Sequence, residues 1–209
     1  EILAHVSTEA GWELVEAFAR TRRELPEEFQ HGAAMLAERL RAAGLTVKQE
    51  TPDLYLGIPR HAEVRCEGRV FRSKATALSP NQPAITAKLV HVPARDGSVR
   101  THSNDPAVIF GDGVTRESLK ARVQGRIVLT EGLSNPGRSD LMEKLGALAV
   151  ITINPGKSVH WGASSTVWGN PLMDDMERLP RMVSMAGNRE DGDALAAAGV
   201  GGAEVTIEA

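Results

Sequence analysis

A single cysteine, Cys66, stands in the 209 residues, so no intrachain disulfide can hold this chain together. Cys66 falls in an alternating apolar and polar stretch, which favours a small buried hydrophobe over a nucleophile. Long apolar runs are missing as well. Ala147 to Ile153 is typical of those present and falls far short of the roughly twenty residues a membrane span needs. The chain opens at Glu1 without a basic segment followed by an apolar one, so no signal peptide is expected in it, and secreted and cytoplasmic locations both stay open. Charge of one sign is also scarce. The formal net charge is −3, which gives no global attraction to nucleic acid or an anionic membrane surface, and the local cluster Arg20, Arg22 and Arg23 reads as a solvated helix end.

Catalytic signatures are equally sparse. The six histidines, His5, His31, His61, His91, His102 and His160, are scattered and form no His-Glu-x-x-His or Cys/His pair. His102 with Asp105 is the nearest approach to a metal motif, and its turn neighbours Ser103, Asn104 and Pro106 fit a solvated loop. The pair Glu27-Glu28 follows Pro26 and suits the start of a helix. No Gly-x-Ser-x-Gly elbow supplies a serine nucleophile. Gly111-Asp112-Gly113 lacks the third glycine of a dinucleotide loop, and Asp191-Gly192-Asp193 lacks the spaced ligands of a calcium loop. Ser134-Asn135-Pro136-Gly137 lies between a strand and a helix, where backbone N–H groups can hold an anion or simply turn the chain. The chain alone is therefore expected to be inactive, with no catalytic and no metal-ligating residue. A hydrolase or transferase site on the Asp105 to Asp112 loop is the weakest alternative.

What is present is enough apolar sequence, 42% of residues, to bury a substantial core. Trp12, Leu14, Val15, Phe18 and Ala19 form an apolar stripe after a cap at Ser7 or Thr8. Phe29 to Leu40 forms another before Gly44, so two helices are expected. Leu45 to Glu50 alternates as a half-buried strand does. Near Thr51 to Asp53 the sequence changes from helix-rich to strand- and turn-rich, which places a boundary between residues 1–52 and 53–209. Ala62 to Cys66 and Arg69 to Ser73 flank Glu67-Gly68 as a hairpin. The zone from Pro93 to Gly113 is rich in turn formers.

From Gly125 to Ala198 the elements alternate. Gly125 to Thr130 reads as a strand buried on both faces. Leu141, Met142 and Leu145 share a helix face behind an N-cap at Ser139, and Gly146 ends that helix. Ala147 to Ile153 is a second strand and Arg181 to Met185 a third, followed by a helix around Glu190 to Ala198. Ala203 to Ile207 alternates as a closing strand. The fold class expected is mixed α/β, a twisted β-sandwich or open barrel with flanking helices, preceded by two N-terminal helices.

The series Gly125-Arg126-Ile127-Val128-Leu129, then Lys144-Leu145-Gly146-Ala147-Leu148-Ala149-Val150-Ile151, then Leu179 to Met185, then Asp191-Gly192-Asp193-Ala194-Leu195 resembles the protease-associated (PA) domain. Together with the helices and hairpin ahead of it, the chain resembles the N-terminal part of zinc exopeptidases of the glutamate carboxypeptidase and transferrin receptor type. That resemblance implies a swivelling β/β/α domain without catalysis of its own, roofing the cleft of a zinc aminopeptidase or carboxypeptidase and restricting substrate entry. It implies no cofactor in this chain, and zinc in a downstream peptidase domain whose signature opens with a His-x-Asp that is not in this sequence and continues with a Glu-Glu pair, the Glu27-Glu28 pair here being accounted for by its helix start. Partners implied are that peptidase domain and a peptide or protein substrate. Unmatched helix faces add possible homo-oligomers. The alternative is a free-standing protein- or peptide-interaction module.

The Ser158 to Asp175 loop holds two of the three tryptophans, Trp161 and Trp168, among Gly, Ser and Asn. Val167-Trp168-Gly169-Asn170-Pro171 resembles a stretch in PA-containing bacterial peptidases, which implies that His160, Trp161, Trp168 and Asn170 face a peptidase domain or its substrate. Packing of both indoles over the domain's own core is the competing reading.

Overall fold

The computed structural model of the protein describes residues 7–23 and 25–209, so His5 lies outside the described residues. The chain forms two compact units, Glu1–Asp53 and Leu54–Ala209.

In the first unit α1 (Glu9–Arg20) and α2 (Pro26–Ala42) form as their apolar stripes predict. Ser7 Oγ accepts from the Glu9 N–H at 3.2 Å, and Glu28 reaches back to the Leu25 N–H at 3.2 Å, so each helix start has a side-chain acceptor. Arg39 ties the pair by donating to Glu13 at 3.1 Å. Gly44, with φ +84, ends α2. The strand expected over Leu45 to Glu50 does not form, and Leu45 is exposed. Among the described residues of this unit no strand lies beside it, and an unpaired strand leaves its backbone groups to water.

The second unit holds β1 (Glu63–Cys66), β2 (Arg69–Phe71), β3 (Ser73–Ala75), β4 (Ile85–His91), α3 (Pro106–Phe110), α4 (Arg116–Val123), β5 (Ile127–Glu131), α5 (Pro136–Lys144), β6 (Ala149–Ile153), β7 (Val183–Gly187), α6 (Arg189–Val200) and β8 (Glu204–Glu208). This is a mixed α/β fold on an eight-stranded mixed sheet of order β2-β1-β8-β4-β5-β6-β7-β3. The hairpin turn falls on Glu67 and Gly68, whose φ values of 50 and 78 match a two-residue turn of the primed type. Strands β4 to β7 are parallel neighbours, whereas β1, β2, β3 and β8 pair antiparallel at the flanks.

The strand order forces curvature. β2 and β3 stand at opposite ends of the sheet, and Arg72 alone separates them in sequence. Eight flat strands would hold those ends roughly 30 Å apart, while one residue advances the chain by only about 3.8 Å. The sheet therefore rolls until its two edges meet. Its concave side encloses a core that includes Val64, Phe71, Leu89, Leu129, Ile151 and Ile207, together with Leu195 from α6. On the convex side Val128 and Val150 pack with Ile109, Leu119, Leu141 and Met142 of α3, α4 and α5. Layers on both faces explain why β6 and β7 are buried at every position and β5, the strand expected to be buried on both faces, at all but its last.

Two helix starts differ from expectation. α5 is capped by Asn135, whose Oδ1 accepts from the Arg138 N–H at 3.1 Å, with Pro136 opening the helix; Ser139 is buried and donates to Ser184 Oγ at 3.1 Å. The stronger signal was the Asn-Pro pair. In the turn-rich zone, Pro106 opens the short α3 behind the Asp105 cap, whose Oδ1 accepts from Ala107 at 3.0 Å.

Candidate functional site

The carboxyl end of β6 carries the loop where sequence placed the interaction residues, and the carboxyl end of its neighbour β5 carries another. After β5 the chain turns through Gly132 to Asn135 into α5, and after β6 it runs from Asn154 through the tryptophan loop to the 3-10 helix Met173–Arg178. In sheets of parallel strands with helical crossovers, this end is where ligands gather.

A third loop, residues 98–104, closes against these two. The Leu133 N–H donates to Val99 O at 3.0 Å, and Asn135 Nδ2 donates to Thr101 O at 3.0 Å. Together the three loops enclose a cavity of about 350 Å³ whose lining includes Arg100, His102, Ser134, Asn135, His160 and Trp161. The structure thus brings His160 and Trp161 together with His102, which sequence reading left in a solvated turn, and with Arg100, which it did not single out. No local signal could have joined them, because the contact is made only when the loops after β4, β5 and β6 converge.

The loop walls are fixed by the strands beneath. Asn154 is fully buried; its Oδ1 accepts from the His160 N–H at 2.6 Å and its Nδ2 donates to Gly132 O at 3.1 Å. Gly162 O accepts from the Ala77 N–H at 2.8 Å, and any side chain at Gly162 would strike the Ser134 backbone. Only glycine lets these two loops approach so closely. Ser134 Oγ is hydrogen-bonded to Thr152 Oγ1 underneath. Trp161 is about half-exposed and lies with its ring 5.1 Å from Lys74 Nζ, a cation–π contact.

The remaining predicted residues do not line this cavity. Trp168 is 100% exposed. Asn170 Oδ1 accepts from the Tyr55 N–H at 2.7 Å, so it ties the tryptophan loop to the segment entering the second unit. Leu172 and Met173 are also well exposed beside it in sequence. Neither indole is buried in the core.

Below the loops lies a charged brace. His91 Nε2 donates to Glu131 Oε1 at 2.7 Å and the Ala94 N–H donates to Oε2 at 2.8 Å. Burial pushes the Glu131 carboxyl up, but the hydrogen bonds from His91 and from backbone N–H groups outweigh it and bring it to about 2. Arg138 is fully buried and donates from Nη2 to Ser98 O at 2.6 Å, which pins the base of the 98–104 loop. Its Nε and Nη1 have no hydrogen-bond partner among the described residues, and burial lowers the guanidinium to about 10 against the opposing pull of Glu131. Arg138 therefore remains charged at neutral pH.

Among the described residues no group of three or more His, Cys, Asp or Glu side chains could hold a metal ion. No helix is long and apolar enough to cross a membrane among them. No protein-family model and no curated protein matches the chain. Solved structures do. The chain is similar in fold to an aminopeptidase from Aneurinibacillus sp. strain AM-1, at 19% identity and a TM-score of 0.55, over 97% of this chain and 43% of that one. It is similar to a zinc aminopeptidase from Bacillus subtilis, at 20% identity and a TM-score of 0.57, over 94% of this chain and 40% of that one. A peptidase precursor from Shewanella amazonensis aligns at 13% identity and a TM-score of 0.56, over 97% and 46%. The chain spans less than half the length of these proteins, and the likeness is one of fold.

Proposed function

We propose that this chain is a non-catalytic, protease-associated region of a zinc-dependent aminopeptidase or carboxypeptidase, with residues 53–209 as the PA domain. The observation that carries the reading is the pattern of coverage: two aminopeptidases, one of them a zinc enzyme, follow the fold over nearly all of this chain and continue for more than as long again. In this reading the remainder of the protein holds zinc and performs the hydrolysis. The tryptophan loop supports a role at the boundary with it. Trp168, Leu172 and Met173 are large apolar side chains held out to solvent, the kind of anchor that becomes favourable only when a partner surface covers it. Placed over a peptidase cleft, that loop narrows the entrance and selects substrates by size.

The test starts by reading the encoded frame past Ala209 and expressing the whole protein. A continuing frame with His-x-Asp and Glu-Glu signatures, chelator-sensitive cleavage of a short aminoacyl anilide, and a severalfold change in long-peptide to short-substrate preference on Trp168→Ala are the expected results. A whole protein with no chelator-sensitive peptidase activity would reject the reading in favour of a stand-alone interaction module. Activity whose substrate preference ignores Trp168 would reject access control by this loop.

A further inference from the structure

We propose that the cavity between the 98–104, 132–135 and 158–162 loops is a binding site for the carboxylate of a peptide, held by Arg100, His102 and His160 with the adjoining peptide residue against Trp161. The choice of a peptide as ligand rests on the peptidase-associated reading; the choice of a carboxylate rests on the cavity.

Every ionisable side chain that lines the cavity is a base. Arg100, His102 and His160 are joined there by Leu133, Trp161 and small or amide residues, and no Asp or Glu is among them. The chain as a whole carries 27 Asp and Glu side chains beside 24 Lys and Arg, so a lining without a single acid is not inherited from composition. The Arg100 fork matches a carboxylate in plane and spacing, and the two imidazoles add donors from separate loops. α5, nine residues long, begins at the cavity wall beside Asn135, and its dipole adds positive potential there.

The site is formed before any ligand arrives. His160 is positioned through its own N–H by Asn154, and Gly162 is pressed against Ser134. Gly137, in the first turn of α5, lies so close to His102 O that a side chain there would clash. Arg138 clamps Ser98 at the start of the loop that presents Arg100 and His102. Little backbone therefore has to be ordered on binding, which leaves more of the contact energy as affinity. The volume, about 350 Å³, accommodates one acidic side chain or a chain terminus with part of its neighbour, and the half-exposed indole of Trp161 offers that neighbour an apolar wall.

Three capped peptides test this on the 209-residue chain, without any peptidase activity in the assay. N-acetyl Ala-Glu-Leu amide carries its carboxylate on a side chain, N-acetyl Ala-Gln-Leu carries it at the terminus, and N-acetyl Ala-Gln-Leu amide carries none. Titrations followed by amide NMR shifts should show saturable binding of at least one carboxylate peptide, with shifts at Arg100, His160 and Gly162. Affinity should exceed that for the neutral peptide by about tenfold, and Arg100→Gln should remove the difference. Which of the two binds identifies the source of the carboxylate. His160→Gln, at an exposed position, is a second variant that should weaken the same peptide while thermal melting confirms an intact fold. Equal affinity for all three, no saturable binding, or binding that ignores both variants overturns the proposal. The whole-protein assay is separate: a carboxylate site without peptidase activity would stand alone, and peptidase activity without the site would leave only the accessory reading.

Discussion

α1 and α6 are both twelve-residue helices, and they bury themselves to opposite extents. α1 carries the bulkier stripe, with Trp12, Leu14, Val15 and Phe18, yet has no buried residue. α6 is mostly alanine, glycine and acidic side chains, yet Leu195 joins the core inside the rolled sheet, and buried Asp191 accepts from Arg69 at 2.8 Å and from the Arg72 N–H at 3.2 Å. Amphipathicity fixes which face of a helix can be buried, whereas burial itself requires a second layer. The sheet supplies that layer to α6. Within its own unit α1 meets one other helix, itself largely exposed.

The largest expected effect follows from that difference. Ile151 sits in β6 with both sheet faces covered, so Ile151→Ala should cost about 3 kcal/mol through lost burial and the cavity left behind. Trp12→Ala, although it removes far more side chain, should shift stability by no more than about 0.5 kcal/mol. Urea melts of both variants check the pair. Comparable losses would mean that α1 is buried against a layer of its own after all.

Acid sharpens the comparison from the other side. Glu131 ties β4 to β5 through His91, and its carboxyl is held at about 2 against an ordinary value of 4.5. A depressed carboxyl contributes stability that is fully present above about 4.5 and is lost as pH falls through about 2. The shift corresponds to at most about 3 kcal/mol. The sheet unit should therefore lose stability steeply between those limits, and Glu131→Gln should flatten the slope while lowering stability at neutral pH. A slope unchanged in that variant would assign the acid sensitivity elsewhere. Urea midpoints taken across the acid range provide the measurement.

Much of the sheet unit was legible because its sequence carries local signals that agree with its global pairing. β5 and β6 are runs made mostly of β-branched residues, the Glu67-Gly68 turn needs left-handed backbone, and the Ala203 to Ile207 alternation became β8. Leu45 to Glu50 has the same alternation as β8 but no neighbour to pair with, and it stays unpaired. Ser139 looked like a cap by residue type, but the Asn135-Pro136 pair four residues earlier is better suited to the role and won. The cavity was legible only in part. Trp and His in a polar loop drew attention to His160 and Trp161, while Arg100 and His102 reach them through loop packing that leaves no periodic trace.

The smallest expected change in stability, and the most direct probe of the exposed helix pair, concerns association. Trp12, Val15, Phe29 and Leu36 are all exposed on α1 and α2, and four large apolar side chains on so small a unit favour contact with another surface. In the isolated 209-residue chain the surface at hand is a second copy, so light scattering should show a mass that rises with concentration. Replacing Trp12 and Phe29 together by serine should reduce that rise and leave the main melting transition, set by the rolled sheet, within about 0.5 kcal/mol of the parent. A mass that stays monomeric at every concentration would show that the stripe is tolerated in water. If instead the double replacement lowered the main transition, the helix pair would be coupled to the sheet core, and the contrast between α1 and α6 would fail at its origin.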